Sequence, residues 1–214
     1  MRTIHAVLGD YYHCSDHLLN ALRSTSLPAD VSLAVTRYPD PVDPPALAGH
    51  HLLFLSTMGK WSPRTSDEMW FDSESQQALS DHVFAGAGLV VFHSGTASHP
   101  PDGPLRALCG GRFLHHPPEH PEVTVSVLAD HPITSGVSSF THPDEHYFVE
   151  IDPDVTPLLS AVSSLGEQSA GWCRTHGSGR VAVIVPGHTP AMLEEPNLHR
   201  LLTNAITWAL SDES

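Results

Sequence analysis

One short stretch of the chain restricts the fold more than any other. Leu89-Val90-Val91-Phe92 is apolar at every position and lies between Gly86-Ala87-Gly88 and His93-Ser94. A strand with one face in water would alternate polar and apolar residues, so a run without alternation predicts a strand that is covered on both faces. Such strands are typical of parallel sheets with helices on each side. We therefore predict that residues 89–92 lie near the centre of a parallel sheet.

Other short apolar segments alternate with amphipathic segments along the chain. Strands are predicted at residues 4–8, 31–35, 51–55 and 181–185. Helices are predicted at residues 16–22, 73–84 and 198–209, the last because its apolar side chains recur at helical spacing. Ser73 would be the N-cap of the second helix. The alternation predicts an α/β fold with a three-layer, doubly wound, mostly parallel sheet. The length of 214 residues suits a single domain, residues 1–214.

Two regions between these segments are rich in residues that break regular structure. Residues 94–156 are dense in Pro, Gly and His, and we predict an elaborated, loop-rich insert there, with shorter strands at residues 123–128 and near 146–151. Residues 39–45 are rich in proline, which lacks the N–H that a helix or sheet needs. This second stretch predicts a connecting loop and no domain boundary.

Composition excludes several classes of protein. The chain carries 24 acidic against 10 basic side chains, a formal charge of −14, so a nucleic acid backbone would be repelled. No apolar run approaches the roughly 18 residues that span a bilayer, and no membrane association is expected. Cys14, Cys109 and Cys173 make an odd count without a CxxC pair, which argues against a disulfide framework and predicts a reducing, cytoplasmic location.

Polar residues follow the predicted strands at the point where each strand ends. In open α/β sheets, ligands bind in the crevice outside the carboxyl ends of the strands. We therefore expect the residues that follow the strands to line a common crevice: Asp10, Tyr12, His13, Ser56, Thr57, His93, Ser94 and His188.

His93 lies where a strand runs into a tight turn containing Gly95. Enzymes expose a nucleophile at such a turn, and in glutamine amidotransferases of this architecture the turn carries cysteine in a pattern similar to GxCxG. Without that cysteine, amidotransferase chemistry is not expected. His93 could instead act as a general base, bind a metal or hydrogen-bond a neighbouring loop. Ser94 matches a GxSxG-like serine elbow poorly.

A second group of polar residues, Asp144-Glu145-His146-Tyr147, combines acid, imidazole and aromatic side chains. Carboxylates beside histidine suit proton transfer on a sugar-like substrate or ligation of a hard cation, whereas solvated loop charges are the plain alternative. His188 follows Pro186-Gly187 and is either a site residue or a cap. His116 lies in a proline-containing loop where a turn-forming role is equally open. The HExxH spacing of many zinc sites is absent from the sequence.

Several of these segments occur in an order that resembles the trehalose utilisation (ThuA-like) family. The segments that carry the resemblance are Gly9-Asp10-Tyr11-Tyr12-His13, Gly88 to Ser94, Gly110-Gly111-Arg112-Phe113 with His115-His116-Pro117, His131 to Gly136, Asp144-Glu145-His146-Tyr147, Gly177 to His188, and Asn204 to Trp208. The resemblance implies a flavodoxin-like, class I glutamine-amidotransferase-like fold that lacks the amidotransferase cysteine. It also implies a role in the metabolism of trehalose, related disaccharides or 3-keto sugars.

The same resemblance implies which residues form the site. Carried over by position, the catalytic residues are His93, Glu145 and His188, and the ligand-binding residues are Asp10, Tyr12, His13, Ser94, His116 and Tyr147. The sequence departs from the commoner family pattern at Gly9-Asp10, where the family often has two glycines, and at His188-Thr189, where an acid often follows the histidine.

We therefore hypothesise an enzyme, a hydrolase, lyase or isomerase, that acts on a small-molecule sugar or keto-sugar. In this hypothesis His93 and Glu145 exchange protons and His188 polarises a carbonyl or hydroxyl, with a divalent metal as an optional cofactor. One alternative is a non-catalytic sugar-binding or regulatory domain, and another is a partner-binding subunit. A homo-oligomer is compatible with the sequence, which does not determine the number of subunits.

Overall fold

A computed structural model describes residues 1–40, 47, 49–62 and 64–211. The strands, in chain order, are β1 Arg2–Leu8, β2 Val31–Arg37, β3 Leu52–Ser56, β4 Gly88–Phe92, β5 Gly111–His115, β6 Glu122–Val127, β7 Phe140–Pro143, β8 Phe148–Ile151, β9 Thr156–Ser163, β10 Gly166–His176 and β11 Gly179–Ile184. The helices are α1 Ser15–Arg23, α2 Ser73–Phe84, α3 Pro104–Cys109, α4 Pro190–Leu193 and α5 Pro196–Ala209, with 3₁₀ turns at His93–Thr96 and Pro132–Thr134. Residues 41–45 of the predicted proline-rich loop lie outside the described residues.

Nine of these strands form one sheet in the order β2-β1-β3-β4-β11-β10-β9-β6-β7, and β5 pairs with β8 in a small second sheet. From β2 to β11 the neighbouring strands are parallel. Five strands in this arrangement follow the order 2-1-3-4-5 of flavodoxin-like sheets. The α/β fold predicted from the sequence is confirmed, and β4 lies at the fourth position from one edge with a parallel neighbour on each side.

The prediction of a mostly parallel sheet holds for only one half of it. Strands β10, β9, β6 and β7 pair antiparallel with their neighbours. Short turns join β9 to β10 and β10 to β11, and consecutive strands joined by short turns pair antiparallel. Residues 94–156 are also not simply an insert, because β6 and β7 extend the main sheet and only β5 and β8 form a separate one.

Two apolar cores lie on opposite faces of the sheet. Alternate residues of β4 enter different cores: Val90 and Phe92 pack with α1 and α5, whereas Leu89 and Val91 pack with α2 and α3. All five residues of β4 are buried, which explains why its sequence lacks polar alternation.

The predicted helices are present with small differences at their ends. Helix α5 buries Leu198, Leu201, Leu202, Ala205, Ile206 and Ala209, the stripe expected from the sequence. Helix α2 begins at Ser73, but its N-cap is Asp72, whose carboxylate accepts a hydrogen bond from the N–H of Ser75. None of the helices in the described part of the chain is both long and apolar enough to cross a bilayer.

Candidate active site at the carboxyl ends of the strands

His93 occupies the turn directly after β4 with an unusual backbone. Its φ is 44°, in the left-handed region that residues other than glycine seldom adopt, and such strain is often found at functional sites. The side chain is fully buried, and Nδ1 lies 2.9 Å from the carbonyl oxygen of Val185. Because a carbonyl only accepts, Nδ1 carries the hydrogen. The opposite nitrogen, Nε2, lies 3.2 Å from the hydroxyl of Tyr147.

Glu145 lies between β7 and β8, and imidazoles surround its carboxylate. Its Oε2 is 3.3 Å from Nε2 of His93 and 3.2 Å from Nδ1 of His188. Its Oε1 is 3.4 Å from Nε2 of His116 and 3.9 Å from Nε2 of His120. The side chain of Glu145 is only 7% exposed. The prediction of a site here, over solvated loop charges, agrees with this burial.

Asp144 holds the loop that carries His188. Its buried carboxylate accepts hydrogen bonds of 2.9 Å from the backbone N–H groups of Gly187, His188 and Thr189. A Cβ atom at position 187 would overlap the ring of Phe92, so only glycine fits there. Asp144 and Gly187 together fix the position from which the His188 side chain approaches Glu145.

His13 is oriented by Asp10 in the turn after β1. The Nδ1 atom of His13 lies 2.7 Å from Oδ1 of Asp10, and Asp10 also accepts the N–H groups of Tyr12 and Met58. These hydrogen bonds lower the pKa of Asp10 against the effect of its burial, so the aspartate is ionised and can only accept. Nδ1 of His13 therefore carries a hydrogen.

The side chains of His13, His93, His188 and Glu145 converge on one point, and we call them the four-residue cluster. One nitrogen or oxygen atom from each lies within 4.8 Å of those from the others. Three atoms here, Nε2 of His13, Nδ1 of His188 and Oε2 of Glu145, are buried and have no hydrogen-bond partner among the described residues. The approaches of Oε2 to His93 and His188 are close but are not aligned as hydrogen bonds.

The mutual electrostatics of the cluster set its protonation. Burial raises the pKa of Glu145, but the neighbouring His93, His188 and His116 outweigh it and bring this pKa to about 2. Burial lowers the pKa of His93, but the carboxylates of Glu145 and Asp144 outweigh it and raise that pKa. Burial and the nearby imidazoles lower the pKa of His188 to about 4. At neutral pH Glu145 is therefore a carboxylate and His188 is neutral.

Most residues predicted from the sequence meet at this site. His93, Glu145, His188, His13, Asp10, Tyr147 and His116 lie in one connected group. The Tyr12 side chain is half exposed and reaches the site only as part of a cavity wall. Ser94 is buried, and among the described residues its hydroxyl has no hydrogen-bond partner. The catalytic or binding role of each residue stays a prediction.

Two neighbours of the cluster were not predicted as site residues. Asp144 was noticed only as part of the segment with Glu145, and its three backbone hydrogen bonds depend on a loop more than 40 residues away. His120, whose ring packs edge-on against that of His188 at 5.0 Å, gives no signal in the sequence beyond the general abundance of histidine.

The cluster opens onto a cavity of about 290 Å³. Tyr12, His13, His120, His188 and Thr189 contribute to its walls. Small-molecule sites begin at about 300 Å³, so this cavity is at the lower end of that range. Neither His93 nor Glu145 is among the described residues that line it, but Glu145 contacts the cavity-lining His188, whose Nδ1 lies 3.2 Å from Oε2.

Comparison with known proteins identifies a family and a fold. The family model ThuA, described as trehalose utilisation, matches residues 12–209. A putative ThuA-like protein from Parabacteroides merdae is similar in structure, with a TM-score of 0.73 and 15% identity over 98% of this chain and 90% of that chain. One from Bacteroides uniformis has a TM-score of 0.71 and 19% identity over 97% and 90%.

A cytoplasmic protein from Salmonella typhimurium LT2 is also similar, with a TM-score of 0.68 and 14% identity over 97% of this chain and 99% of that chain. None of the curated proteins compared with the chain matches it by sequence. At these identities the solved structures establish the shared fold, and the family model carries the family assignment.

Proposed function

The chain belongs to the ThuA family of trehalose utilisation, and from that premise we propose that it is an enzyme acting on a keto-sugar at the four-residue cluster. The family supports a role in sugar metabolism. The observation that carries the finer proposal is the buried Glu145 carboxylate, which has four imidazoles around it, two of which, His120 and His188, line a cavity close to the size of a sugar ring.

The reaction that fits this arrangement is proton abstraction from a carbon next to a carbonyl. Glu145 accepts the proton at Oε1, and the electrons of the broken C–H bond move to the carbonyl oxygen, which becomes an enolate. His188 lies at the cavity wall as a neutral imidazole and stabilises that oxygen by hydrogen bonding. In an isomerase the former carbonyl carbon then takes the proton and its oxygen becomes a hydroxyl, while the hydroxyl on the deprotonated carbon gives up its proton and becomes the new carbonyl. In a lyase the enolate re-forms the carbonyl and expels the leaving group from the carbon β to it.

The histidines near Oε1 give the proton a route to solvent. His116 and His120 lie 3.4 Å and 3.9 Å from this oxygen, and both side chains are about one third exposed. Imidazole gains and loses protons near neutral pH, so such a pair can exchange protons between a buried carboxylate and water. His93, fully buried beneath Glu145, holds the carboxylate in its ionised form.

Hydrogen–deuterium exchange tests the proposal directly. A panel of 3-keto-glucosides, including 3-keto-trehalose, would be incubated with the protein in D₂O, and loss of the signal of the C–H next to the carbonyl followed by proton NMR. We expect exchange with at least one keto-sugar, none with trehalose itself, and a decrease of at least about 100-fold in Glu145→Gln.

The opposite outcome would support a different function. Saturable binding of keto-sugars without exchange or turnover would favour the non-catalytic sugar-binding domain, and absence of both would favour a partner-binding subunit. We also propose a cytoplasmic location, consistent with the unpaired state of all three cysteines. The absence of a nucleic acid partner stays a prediction, and a homo-oligomer stays compatible with the sequence.

A further inference from the structure

We infer that His13, His93, His188 and Glu145 together bind one divalent transition-metal cation such as Zn²⁺. The inference goes beyond the proposed reaction and does not depend on it, because it follows from the hydrogen-bond inventory and the distances of the cluster alone. No sugar is needed to test it.

The first argument is that the cluster presents acceptors without donors. Nδ1 of His13 and Nδ1 of His93 carry their hydrogens, because they face the Asp10 carboxylate and the Val185 carbonyl. When these two rings are neutral, the opposite nitrogen of each, Nε2, therefore presents a lone pair to the centre of the cluster. Oε2 of Glu145 is also only an acceptor.

Buried acceptors that converge in this way carry an energetic cost unless something positive lies between them. Nε2 of His13 and Oε2 of Glu145 have no hydrogen-bond partner among the described residues, and Nε2 of His93 has only the hydroxyl of Tyr147. An unsatisfied buried polar group costs about 1–3 kcal/mol. A cation bound at their centre would satisfy all of them together.

The second argument is the support behind each ligand. Histidines that bind metals usually donate their other N–H to a carboxylate or a backbone carbonyl, which fixes the tautomer and the ring orientation. His13 donates to Asp10 in this way and His93 donates to Val185. The backbone of His188 is held by Asp144. Two of the three imidazoles therefore have the outer hydrogen bond that is usual in metal sites, and the third is positioned through its backbone.

The third argument is spacing and ligand type. Bonds from zinc to imidazole nitrogen are about 2.0–2.1 Å, so two ligands on opposite sides of the ion are at most about 4.2 Å apart. A tetrahedral ion holds its ligand atoms about 3.4 Å apart, whereas these four atoms lie within 4.8 Å of one another, so the widest pair must close by as much as about 1.4 Å through side-chain rotation. Three nitrogens with one carboxylate oxygen favour Zn²⁺, Fe²⁺ or Ni²⁺ over Mg²⁺ or Ca²⁺.

Such a cation leaves the proposed reaction possible. Glu145 would bind it through Oε2 and keep Oε1, which faces His116 and His120, for proton transfer. A divalent ion held there would polarise a carbonyl oxygen that reaches it, and His13 and His188, two of the four ligands, line the cavity.

Metal titration of protein purified without a histidine tag tests the inference. The protein would be treated with EDTA, dialysed and titrated with ZnCl₂ by calorimetry, and with CoCl₂ by visible absorption, which reports the coordination of Co²⁺. We expect one cation per chain. We expect Asp10→Asn, which removes the negative charge behind His13 and one of the two acceptor oxygens in this turn, to weaken binding about 10–100-fold, and His188→Ala to weaken it at least as much.

His50→Ala is the matched control. His50 also has a buried nitrogen without a hydrogen-bond partner in the described part of the chain, but it lies outside the four-residue cluster, so this variant should bind the cation as the wild type does. Circular dichroism identifies any variant that fails to fold. If His188→Ala does not fold, Zn²⁺ binding by Asp10→Asn is compared with that of the wild type instead. Absence of saturable Zn²⁺ and Co²⁺ binding by the wild type, or equal binding by wild type, Asp10→Asn and His188→Ala, would overturn the inference. Exchange of a keto-sugar C–H by EDTA-treated protein is read separately, so failure of the metal site and failure of the proposed reaction are distinguishable.

Discussion

Histidines cluster in two regions of the described chain, and these two regions differ in the groups that surround the imidazoles. The four-residue cluster lies at the carboxyl ends of the parallel strands. A second group, His5, His50, His51 and His82, which we call the amino-end group, lies near the start of β3, where His50 and His51 directly precede the strand. The amino-end group borders a cavity of about 270 Å³, close in size to the 290 Å³ above the four-residue cluster.

The four-residue cluster and the amino-end group differ in whether carboxylates lie beside their imidazoles. Asp10, Asp144 and Glu145 orient or face the imidazoles of the four-residue cluster. No Asp or Glu is found among the described residues that line the amino-end cavity. There, burial and neighbouring imidazoles lower the pKa of His5 and of His50. Neither the number of histidines nor the size of a cavity therefore indicates a site, whereas buried acids that fix the tautomers do.

The largest expected effect comes from removing Asp144. Asp144→Ala leaves three buried backbone N–H groups without acceptors, and we expect the free energy of unfolding to fall by about 3–5 kcal/mol. Urea denaturation measures the change. His82→Ala in the amino-end group, which removes one hydrogen bond to the carbonyl of His50, should cost about 1 kcal/mol. Equal losses in the two variants would remove the distinction between the groups.

The next effect concerns activity and separates the two groups by function. His188→Ala should reduce exchange of a keto-sugar C–H by about 100-fold, because the developing oxyanion loses its hydrogen-bond donor. His50→Ala should leave the rate unchanged. Proton NMR in D₂O measures both, with thermal unfolding as the check that each variant is folded. A His50→Ala rate as low as that of His188→Ala would contradict the comparison.

A smaller effect is expected at Tyr147. Its hydroxyl is the donor that faces Nε2 of His93, so Tyr147→Phe should lower the free energy of unfolding of the EDTA-treated protein by about 1 kcal/mol. With Zn²⁺ bound, Nε2 would be a ligand and the hydroxyl would matter less. The same loss with and without Zn²⁺ would argue that the ion does not reach His93. Urea denaturation under both conditions gives the answer.

The smallest effect is a change in pH dependence from the amino-end group. The pKa of His50 is lowered from 6.5 in the folded protein, so between the two values the unfolded chain binds more protons than the folded one. Stability therefore falls as pH falls below about 6.5. We expect His50→Asn to lose less stability than the wild type between pH 7.5 and pH 5.5, measured by urea denaturation. A steeper loss in the variant would mean that another group dominates.

The sequence predicts the parallel half of the molecule better than the antiparallel half. Strand β4 and helix α5 follow from local patterns, because burial on both faces removes alternation and burial on one face imposes helical spacing. Strands β9 and β10 gave no such signal. Their pairing depends on two turns and on neighbours that the local sequence does not reveal.

In the candidate site too, some features could be predicted from the local sequence and others depend on distant contacts. The positions of His93 and His188 after buried strands placed both at the carboxyl edge, and Glu145 stood out in a segment that combines acid, imidazole and aromatic side chains. The resemblance to the ThuA family then implied a catalytic role for all three. The sequence did not show that Asp144 would hold the His188 loop or that His120 would join the rim. Those contacts link residues that are distant along the chain.

By itself the sequence determined the fold class, the central strand and the edge of the sheet where polar side chains lie. Strand burial and helix amphipathicity each produce a local pattern of apolar residues that can be recognised along the chain. Only the tertiary structure decided which of the many histidines share a carboxylate and which merely pack against one another. A tautomer is fixed by the acceptor that faces the ring, and that acceptor comes from another loop. The arrangement of Asp10, Val185 and Asp144 behind His13, His93 and His188 is therefore a property of the folded chain.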